Sequence, residues 1–328
     1  MRLDRRTALS LLLGAASLNP TRLVAQSTDY PTRSIRIVVG FAAGGAPDAL
    51  ARIVADKLTQ RWGQPTIVEN RVGAQGNTAL AAVAKSEPDG YTLALMPVGN
   101  AAVNPSLFAN LPYDPVKDFA PITQLATVEN VLVVGAQSPI KTVQDLIALG
   151  RSKTANLTYA SPGAGSLAHL AAELLARSAG FEMTHVPYRG VAPALTDVLR
   201  GDVGLIIAQL STAKPLIDNG QLRALGIASR ERSKVMPDLP TIAEASGITE
   251  FAAVSWYALM AVAHTPKAII DKLNGAVAEV LKSPDVVAAM SAQGAQPIGG
   301  SPAELAAVIA ADTQRWSKLI KEAGIQVN

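Results

Sequence analysis

Short β-rich segments alternate with amphipathic helical segments from Ile35 onward, and this alternation constrains the fold more than any other feature. It is typical of βαβ units, in which helices cover mainly parallel strands. The sequence therefore predicts an α/β protein. The predicted strands cover residues 35–41, 66–68, 91–96, 131–134, 157–160, 185–188, 203–207 and 222–228. Helical spacing of apolar residues predicts helices at 167–178, 266–281 and 302–323, among others.

The chain is long enough for two lobes. Its 328 residues exceed the size that one hydrophobic core usually serves, and 49% apolar with 17% charged residues is a globular composition. Two stretches, 104–121 and 230–247, are rich in proline and polar residues and are interpreted as connectors. If one leads into a second lobe and the other leads back, two crossing strands form a hinge, with a ligand cleft between the lobes.

The first 25 residues have the pattern of a signal peptide. Three arginines within residues 1–6 precede an apolar run at 7–18, which is shorter than the about 20 residues that span a bilayer. Small residues favour cleavage after Ala25, although Leu23 departs from the usual pattern, so the exact position stays open. The pair Arg5 and Arg6 leaves the export route open between the general and twin-arginine pathways. We expect a periplasmic protein.

Charge and cysteine content exclude several classes of partner. Removing the signal peptide takes four arginines and one aspartate from 29 basic and 26 acidic residues, which leaves 25 of each. A neutral chain gives no reason to expect a nucleic-acid partner. The absence of cysteine excludes disulfides, a lipoprotein anchor and a cysteine metal site. We expect a monomer without a cofactor.

No arrangement of residues indicates catalysis. Ser166 and His169 lie on one predicted helix, without a G-x-S-x-G elbow or an orienting acid. The glycine-rich turn at residues 41–48, after the first predicted strand, lacks the G-x-G-x-x-G pattern of dinucleotide enzymes. The three histidines, at positions 169, 185 and 264, do not have metal-ligand spacing. We therefore predict no catalytic residue and no metal site.

Two glycine-rich turns, each following a predicted strand and opening a predicted helix, are the candidate ligand site. The first covers residues 41–48 and the second covers 161–166. The first N–H groups of a helix lack partners, so such turns can bind an anion. Gly44 and Gly45 permit close approach of a ligand and positive φ. The alternative is that these glycines only make tight turns.

Each of four residues in or near these turns has two possible roles. Asp48 either interacts with the helix dipole or hydrogen-bonds the turn amides. Ser166 is the expected N-cap of its helix, with a hydroxyl also able to reach a ligand. His169, one turn further on, is either a packing residue or a ligand contact. Arg189 either pairs with a carboxylate or is solvated.

The motifs at these turns resemble those of the tripartite tricarboxylate transporter receptors, periplasmic binding proteins often called the Bug family. Many such motifs in the same order over the whole mature chain make the resemblance specific. They are residues 41–48 (FAAGGAPD), 68–71 (VENR), 73–77 (GAQGN), 88–93 (PDGYTL), 111–115 (LPYDP), 117–119 (KDF), 161–166 (SPGAGS), 169–170 (HL) and 185–190 (HVPYRG).

The resemblance implies a type II-like, two-lobed periplasmic binding protein, with two mainly parallel sheets flanked by helices and joined by a two-strand hinge. Residues 30–128 plus 253–328 would form lobe 1, and 129–252 would form lobe 2. It also implies capture of a small carboxylate, such as a di- or tricarboxylate, and delivery to membrane permease subunits. The alternative is a receptor that presents its bound solute to a membrane sensor kinase.

The expected ligand-binding residues follow from the turns and the resemblance together. They are Phe41, Ala43, Gly44, Gly45, Asp48, Ser161, Gly163, Gly165, Ser166, His169, Tyr188, Gly190 and Ala208. The sequence departs from the family pattern after the strand at 203–207, where many relatives carry an acid and this chain has Ala208 and Gln209. An acid there would favour a ligand amine, so its absence favours plain carboxylates over amino acids.

Overall fold

The computed structural model describes residues 29–152 and 156–325 and contains two β-sheets, each covered by helices. The predicted signal peptide at residues 1–25 lies outside the described residues. Within the described ranges, no helix has the length and apolar character needed to cross a membrane.

The strands and helices follow one another in three blocks. The first contains β1 (Ile35–Val39), α1 (Ala46–Trp62), β2 (Thr66–Asn70), α2 (Asn77–Val83), β3 (Thr92–Pro97), α3 (Asn104–Leu107) and β4 (Phe119–Val128). The second contains β5 (Asn130–Gly135), α4 (Val143–Ser152), β6 (Thr158–Ser161), α5 (Leu167–Ala179), β7 (Thr184–Pro187), α6 (Val191–Arg200), β8 (Leu205–Gln209), α7 (Leu210–Asp218), β9 (Leu222–Ile227) and α8 (Ile242–Ser246). The third contains β10 (Ser255–Val262), α9 (Lys267–Lys282), α10 (Pro284–Ala292), β11 (Ala295–Gly299) and α11 (Pro302–Ala323).

Both sheets are mixed, and the expectation of mainly parallel sheets is wrong. The first lobe holds the six-stranded sheet β11-β4-β10-β3-β1-β2, in which only the pairs of β1 with β2 and with β3 are parallel. The second lobe holds the five-stranded sheet β7-β6-β8-β5-β9, in which β6 pairs in parallel with β7 and β8. The antiparallel pairings come from β5, β9 and three strands that the sequence did not predict.

The three unpredicted strands have sequences that do not look like strands. Pro121 lies inside β4 and Pro297 inside β11, and proline within a run argues against a strand. β4 accommodates its proline at a register shift opposite Leu259 and Met260 of β10. β10 is buried along its whole length, so its sequence lacks the alternation of a half-exposed strand. The eight strands predicted from the sequence are all confirmed.

The chain crosses between the lobes next to Glu129, which separates β4 from β5. The stretch 104–121 is therefore not the crossing that the sequence predicted, because it holds α3 and the start of β4 within the first lobe. The stretch 230–247 does lie on the return path, and the chain re-enters the first lobe at β10. The lobe boundaries at residues 128/129 and 252/253 remain a prediction.

A ring of three hydrogen bonds holds the two crossings together. The amide of Ala228 donates to the carbonyl of Asn130 over 2.8 Å, and the amide of Ala253 donates to the carbonyl of Ala228 over 2.7 Å. The side-chain amide of Asn130 closes the ring by donating to the carbonyl of Ala253 over 2.6 Å. Asn130 is 5% exposed, so these bonds are protected from water.

One buried apolar cluster extends across both lobes. It includes Met96 of β3, Leu132 of β5, Leu170 of α5 and Trp316 of α11. The C-terminal helix α11 packs on β4 of its own lobe and also contacts α5 of the second lobe. The lobes are thus joined by side-chain packing as well as by the two crossings.

Close backbone contact fixes the end of β1. A Cβ added at Gly40, just after β1, would lie 2.5 Å from the Cα of Gly76, a distance that Cβ atoms essentially never show. Gly76 has φ of +88° and belongs to the turn before α2. The two segments can approach this closely because Gly40 has no side chain.

We expect Gly40→Ala to destabilise the fold by about 1 to 3 kcal/mol, because the new methyl group meets backbone atoms that cannot rotate away. Gly275→Ala in α9 is the matched control: nothing lies within 4 Å of its added Cβ, and alanine should stabilise the helix by about 1 kcal/mol. Urea unfolding of both variants measures these changes. Equal stability of Gly40→Ala and the parent would show that this contact is not required.

Candidate functional site

The first glycine turn connects β1 to α1 and leaves the start of the helix open. Gly44 has φ of +86°, and an added Cβ would meet nothing within 4 Å, so the left-handed backbone and not lack of space selects glycine here. Gly45 caps α1 in an extended conformation with φ of −81°. The possibility of positive φ at Gly45 is therefore not realised. Since Gly45 has no side chain, no side chain caps the first N–H groups of α1.

Asp48 holds this turn in shape. Its carboxylate is 3% exposed and accepts hydrogen bonds from the Gly44 amide over 2.9 Å, from Nε of Arg52 over 3.0 Å and from the side-chain amide of Asn70 over 2.9 Å. The hydrogen bond from Arg52, followed by those from Gly44 and Asn70, lowers the pKa of Asp48 to about 2. Asn70 also donates to the carbonyl of Phe41 over 3.0 Å. Of the two roles left open for Asp48, the structure shows hydrogen bonding to the turn.

The turn that precedes α2 lies beside the first glycine turn and was not predicted as part of the site. A Cβ added at Gly76 would lie 3.2 Å from the ring of Phe41. Ala74 and Gln75 have φ of +43° and +55°, so three consecutive residues are left-handed. Such backbone strain in residues other than glycine concentrates at functional sites. The motif at 73–77 was the available sequence signal, but it did not reveal that this turn contacts Phe41.

A buried polar network supports the turn that precedes α2. The side-chain carbonyl of Asn77 accepts hydrogen bonds from Asn100 over 2.9 Å, Asn104 over 2.8 Å and Tyr113 over 3.1 Å. Asn100 also donates to the carbonyl of Gln75 over 3.0 Å. The exposed fraction of the four network residues is between 2% and 5%. The motif at 111–115 therefore contributes Tyr113 as a support of the turn.

The second glycine turn connects β6 to α5 and uses the hydroxyl of Ser161 internally. Ser161 is fully buried, donates to the carbonyl of Gly163 over 2.9 Å and lies 2.7 Å from Nε2 of His185. Gly163 and Gly165 have φ of +138° and +75°. Ser166 caps α5 by accepting from the backbone amide of His169 over 3.3 Å, which confirms the predicted N-cap.

His169 is a buried packing residue that also hydrogen-bonds the turn. Its exposed fraction is 6%, and Nδ1 accepts from the amide of Gly165 over 2.9 Å. The ring stacks on His185 with 4.0 Å between ring centroids, and the ring of Tyr159 lies 4.9 Å from that of His185 and 5.9 Å from that of His169. Burial, with a smaller effect of His185, lowers the pKa of His169 to about 4. The ring is therefore neutral at pH 7 and able to accept through Nδ1.

A third turn, between β7 and α6, lies against the second. The amide of Tyr188 donates to the carbonyl of Ser161 over 2.9 Å. The hydroxyl of Tyr188 donates to Asp197 over 2.7 Å, and burial together with Asp197 raises its pKa to about 12. This hydroxyl is thus engaged within the second lobe. Gly190 caps α6 with φ of +118° and open space around it, and Arg189 is exposed.

Ala208 does not present its side chain to the cleft. It is 3% exposed and belongs to the buried apolar cluster of the second lobe, opposite Val131 in the sheet. The next residue, Gln209, instead donates its side-chain amide to the hydroxyl of Tyr257 in the first lobe over 3.2 Å. The prediction of Ala208 as a ligand contact stays a prediction, and it now concerns the backbone of Ala208, while Gln209 forms a bridge between the lobes.

The geometry offers anion binding and not nucleophilic catalysis. Ser166 contacts the backbone of His169 and not its ring. Ser161 and His185 have the spacing of a nucleophile and base, but Ser161 is fully buried. No cluster of three or more potential metal ligands occurs in residues 29–152 and 156–325. Three helix N-termini, those of α1, α5 and α6, follow strands in the two lobes and carry partial positive charge.

Two cavities lie away from these turns. One of about 550 Å³ is in the first lobe around Phe108, Tyr113 and Val116. The other, of about 680 Å³, lies between α7 of the second lobe and the α10–β11 segment of the first. Neither is lined by residues of the glycine turns, so cavity size does not identify the site.

Comparison with known proteins places the chain in a family. Residues 50–325 match the tripartite tricarboxylate transporter family receptors. The protein BugT from Bordetella pertussis is 38% identical over 299 residues, which cover 91% of each chain. An R. palustris protein solved with adipate has a TM-score of 0.79 and 38% identity, covering 91% of this chain and 100% of that one. MatC from Rhodopseudomonas palustris, solved with bound malate, has a TM-score of 0.75 and 34% identity, covering 89% and 100%.

The match covers most of both lobes and the second glycine turn, and it begins two residues after the end of the first turn. These similarities confirm the resemblance read from the motifs and the two-lobed α/β fold. The chain belongs to the tripartite tricarboxylate transporter receptor family, whose members, the Bug proteins among them, are periplasmic solute-binding proteins and not enzymes.

Proposed function

We propose that this receptor captures a small di- or tricarboxylate, or a related small acid, in the cleft between its lobes and delivers it to the membrane subunits of a tripartite transporter. The observation that carries the proposal is the pair of glycine turns, one in each lobe, that open onto helix N-termini. The two structural relatives solved with adipate and malate support a dicarboxylate ligand.

The proposed ligand contacts are backbone amides and hydroxyls. In the first turn, Phe41, Ala43 and Gly45 lie before the start of α1. The amide of Gly44 is already hydrogen-bonded to the carboxylate of Asp48. In the second lobe, Gly163, the Ser166 hydroxyl and the Gly190 amide are the contacts. Ser161, Gly165, His169 and Tyr188 hold these turns in place through the hydrogen bonds described above.

Neutral donors are sufficient for an anionic ligand. Each helix N-terminus supplies a partial charge of about half a unit, and two of them facing one ligand match the two ends of a dicarboxylate. A buried arginine would add a desolvation cost that backbone amides avoid. Arg52 is already bound to Asp48, and Arg189 is exposed, which supports a solvated role for Arg189.

Capture requires the lobes to move. Among the described residues, no hydrogen bond joins the first turn to the second, whereas the hinge and the Gln209–Tyr257 bridge do join the lobes. A ligand that binds both turns would stabilise a closed arrangement in proportion to its extra affinity for it. In this proposal the mature protein is a periplasmic monomer, and the closed form is what the permease subunits recognise.

We expect adipate or malate to raise the stability of the purified mature protein by about 2.7 kcal/mol when the ligand is present at about 100 times its Kd. A thermal-shift titration followed by calorimetry measures this, with glucose as a control solute. If no di- or tricarboxylate shifts the transition, carboxylate capture is wrong. Recovery of a sensor kinase instead of permease subunits in a membrane pull-down would favour the signalling alternative.

Gly44→Ala should weaken dicarboxylate binding at least about tenfold, because alanine resists the left-handed conformation that shapes the first turn. Gly63→Ala is the matched control: it lies at the other end of α1, has φ of +66° and has equally open surroundings. Both variants should lose about 1 kcal/mol of stability, but only Gly44→Ala should lose affinity. Equal affinities in calorimetry would make the first turn purely structural.

Arg189→Ala should change the affinity for adipate by less than about 1 kcal/mol, because an exposed charge is screened by water. Arg200→Ala, another exposed arginine of the second lobe, is the control. Titration calorimetry measures both variants. A loss of about 2 to 5 kcal/mol for Arg189→Ala alone would show that a buried arginine pair, and not the helix termini, defines the site.

A further inference from the structure

We infer that Asp48 and His169 are equivalent positioning residues, one in each lobe, that fix the two glycine turns without placing net negative charge beneath the ligand. This inference rests on the proposed carboxylate-binding function and concerns how the same site selects an anion. Neither residue needs to contact the ligand in this role.

The two turns have the same construction. In each, a left-handed glycine precedes the capping residue, and the third residue of the helix accepts a hydrogen bond from that glycine's amide. The Gly44 amide donates to Asp48 over 2.9 Å, and the Gly165 amide donates to Nδ1 of His169 over 2.9 Å. The sequences of the two segments, GGAPD and GSLAH, share only the first glycine, so the equivalence is geometric and not a sequence repeat.

This hydrogen bond decides which amides remain for a ligand. It turns the N–H group of the left-handed glycine toward the helix, where the side chain satisfies it. The first helical amides, at Ala46 and Leu167, have no acceptor among the described residues. Losing the side-chain acceptor would leave the glycine amide without its partner and free the turn to change shape.

The acceptor of the first turn is charged but compensated. Asp48 is bound by Nε of Arg52 over 3.0 Å and by a second guanidinium nitrogen over 2.9 Å. The pair therefore contributes little net charge to the turn. Without Arg52, a buried carboxylate would lie next to the proposed position of a ligand carboxylate and would repel it.

The acceptor of the second turn is neutral. His169 of α5 is buried against β7, where the ring of His185 stacks on it with 4.0 Å between ring centroids. The ring centroid of Tyr159, in β6, lies 5.9 Å from that of His169. The nearby charges are already paired, since Glu173 accepts from the Tyr159 hydroxyl over 2.7 Å and binds Arg177. The helices α4 and α11 also pack on α5. Arg151 of α4 donates to the Ala179 carbonyl, and Arg315 of α11 binds Asp312.

Among the described residues, the cations on the helices that pack around His169, which are Arg151, Arg177 and Arg315, therefore already have partners, and Arg189 of the neighbouring turn is exposed to solvent. An aspartate at position 169 would reach the glycine amide, as Asp48 shows in the first turn, but its charge would remain. Imidazole supplies the acceptor without the charge. Geometry and charge can thus be separated by changing His169 alone.

The experiment is titration calorimetry with adipate at pH 7 on mature protein carrying His169→Asn, His169→Asp, His169→Ala or Arg52→Met. Asparagine keeps a neutral acceptor, so His169→Asn should stay within about fivefold of the parent affinity. His169→Ala removes the acceptor and should bind at least about tenfold more weakly. His169→Asp and Arg52→Met should also bind at least about tenfold more weakly, because each exposes a negative charge. His264→Asn is the control, since His264 is exposed and its φ of +66° suits asparagine.

Three results would overturn the inference. If His169→Ala binds adipate as tightly as the parent, His169 is not a positioning residue. If His169→Asn and His169→Asp bind with equal affinity, the charge argument is wrong. If the Asn, Asp and Ala variants all lose the same affinity, the imidazole itself is required. Nitrogen-15 NMR of ligand-free protein provides an independent readout, with the Nε2–H tautomer of His169 expected at pH 7. A protonated Nδ1 would contradict the hydrogen bond from Gly165. If the parent binds no carboxylate, the proposed function fails while this readout still decides the role of His169.

Discussion

The hydrogen-bonded ring of Asn130, Ala228 and Ala253 is the constraint on which the arrangement of the two lobes depends. It joins the start of β5, the end of β9 and the segment that returns to β10, so both crossings are fixed at one place. The apolar cluster shared by α5 and α11 adds a second connection between the lobes. Because buried hydrogen bonds are costly to break, this ring keeps the two crossings at a fixed distance from each other.

The two glycine turns use the same physical principle with different chemistry. A left-handed glycine redirects the chain from strand to helix, and a side chain on the helix satisfies its amide. In the first lobe the acceptor is a carboxylate compensated by Arg52, whereas in the second it is an imidazole kept neutral by burial. In both turns the first helical amide, at Ala46 or Leu167, has no acceptor among the described residues, and the proposed anionic ligand would bind there.

Several residues that were predicted as ligand contacts have structural partners within the protein. Asp48, Ser161 and His169 form hydrogen bonds within the turns, and the Tyr188 hydroxyl is bound to Asp197. Their residue types were informative because a functional turn requires polar groups to fix it. The pattern of residue types does not distinguish a group that touches a ligand from one that holds the turn, since both are polar and both lie near the same glycines.

The sequence by itself determined the α/β class, eight of the strands, the two glycine turns and the family, because alternating apolar runs and glycine placement are local properties. Only the tertiary structure decided the mixed sheets, since Pro121 and Pro297 hide two strands whose pairing depends on distant partners. It also decided that Ala208 is buried and that Gln209 bridges the lobes. The strained turn at Ala74–Gly76 adjoins Phe41 only because β1 and β2 are neighbours in the sheet, and proximity between residues far apart in sequence is a property of the fold and not of any one segment.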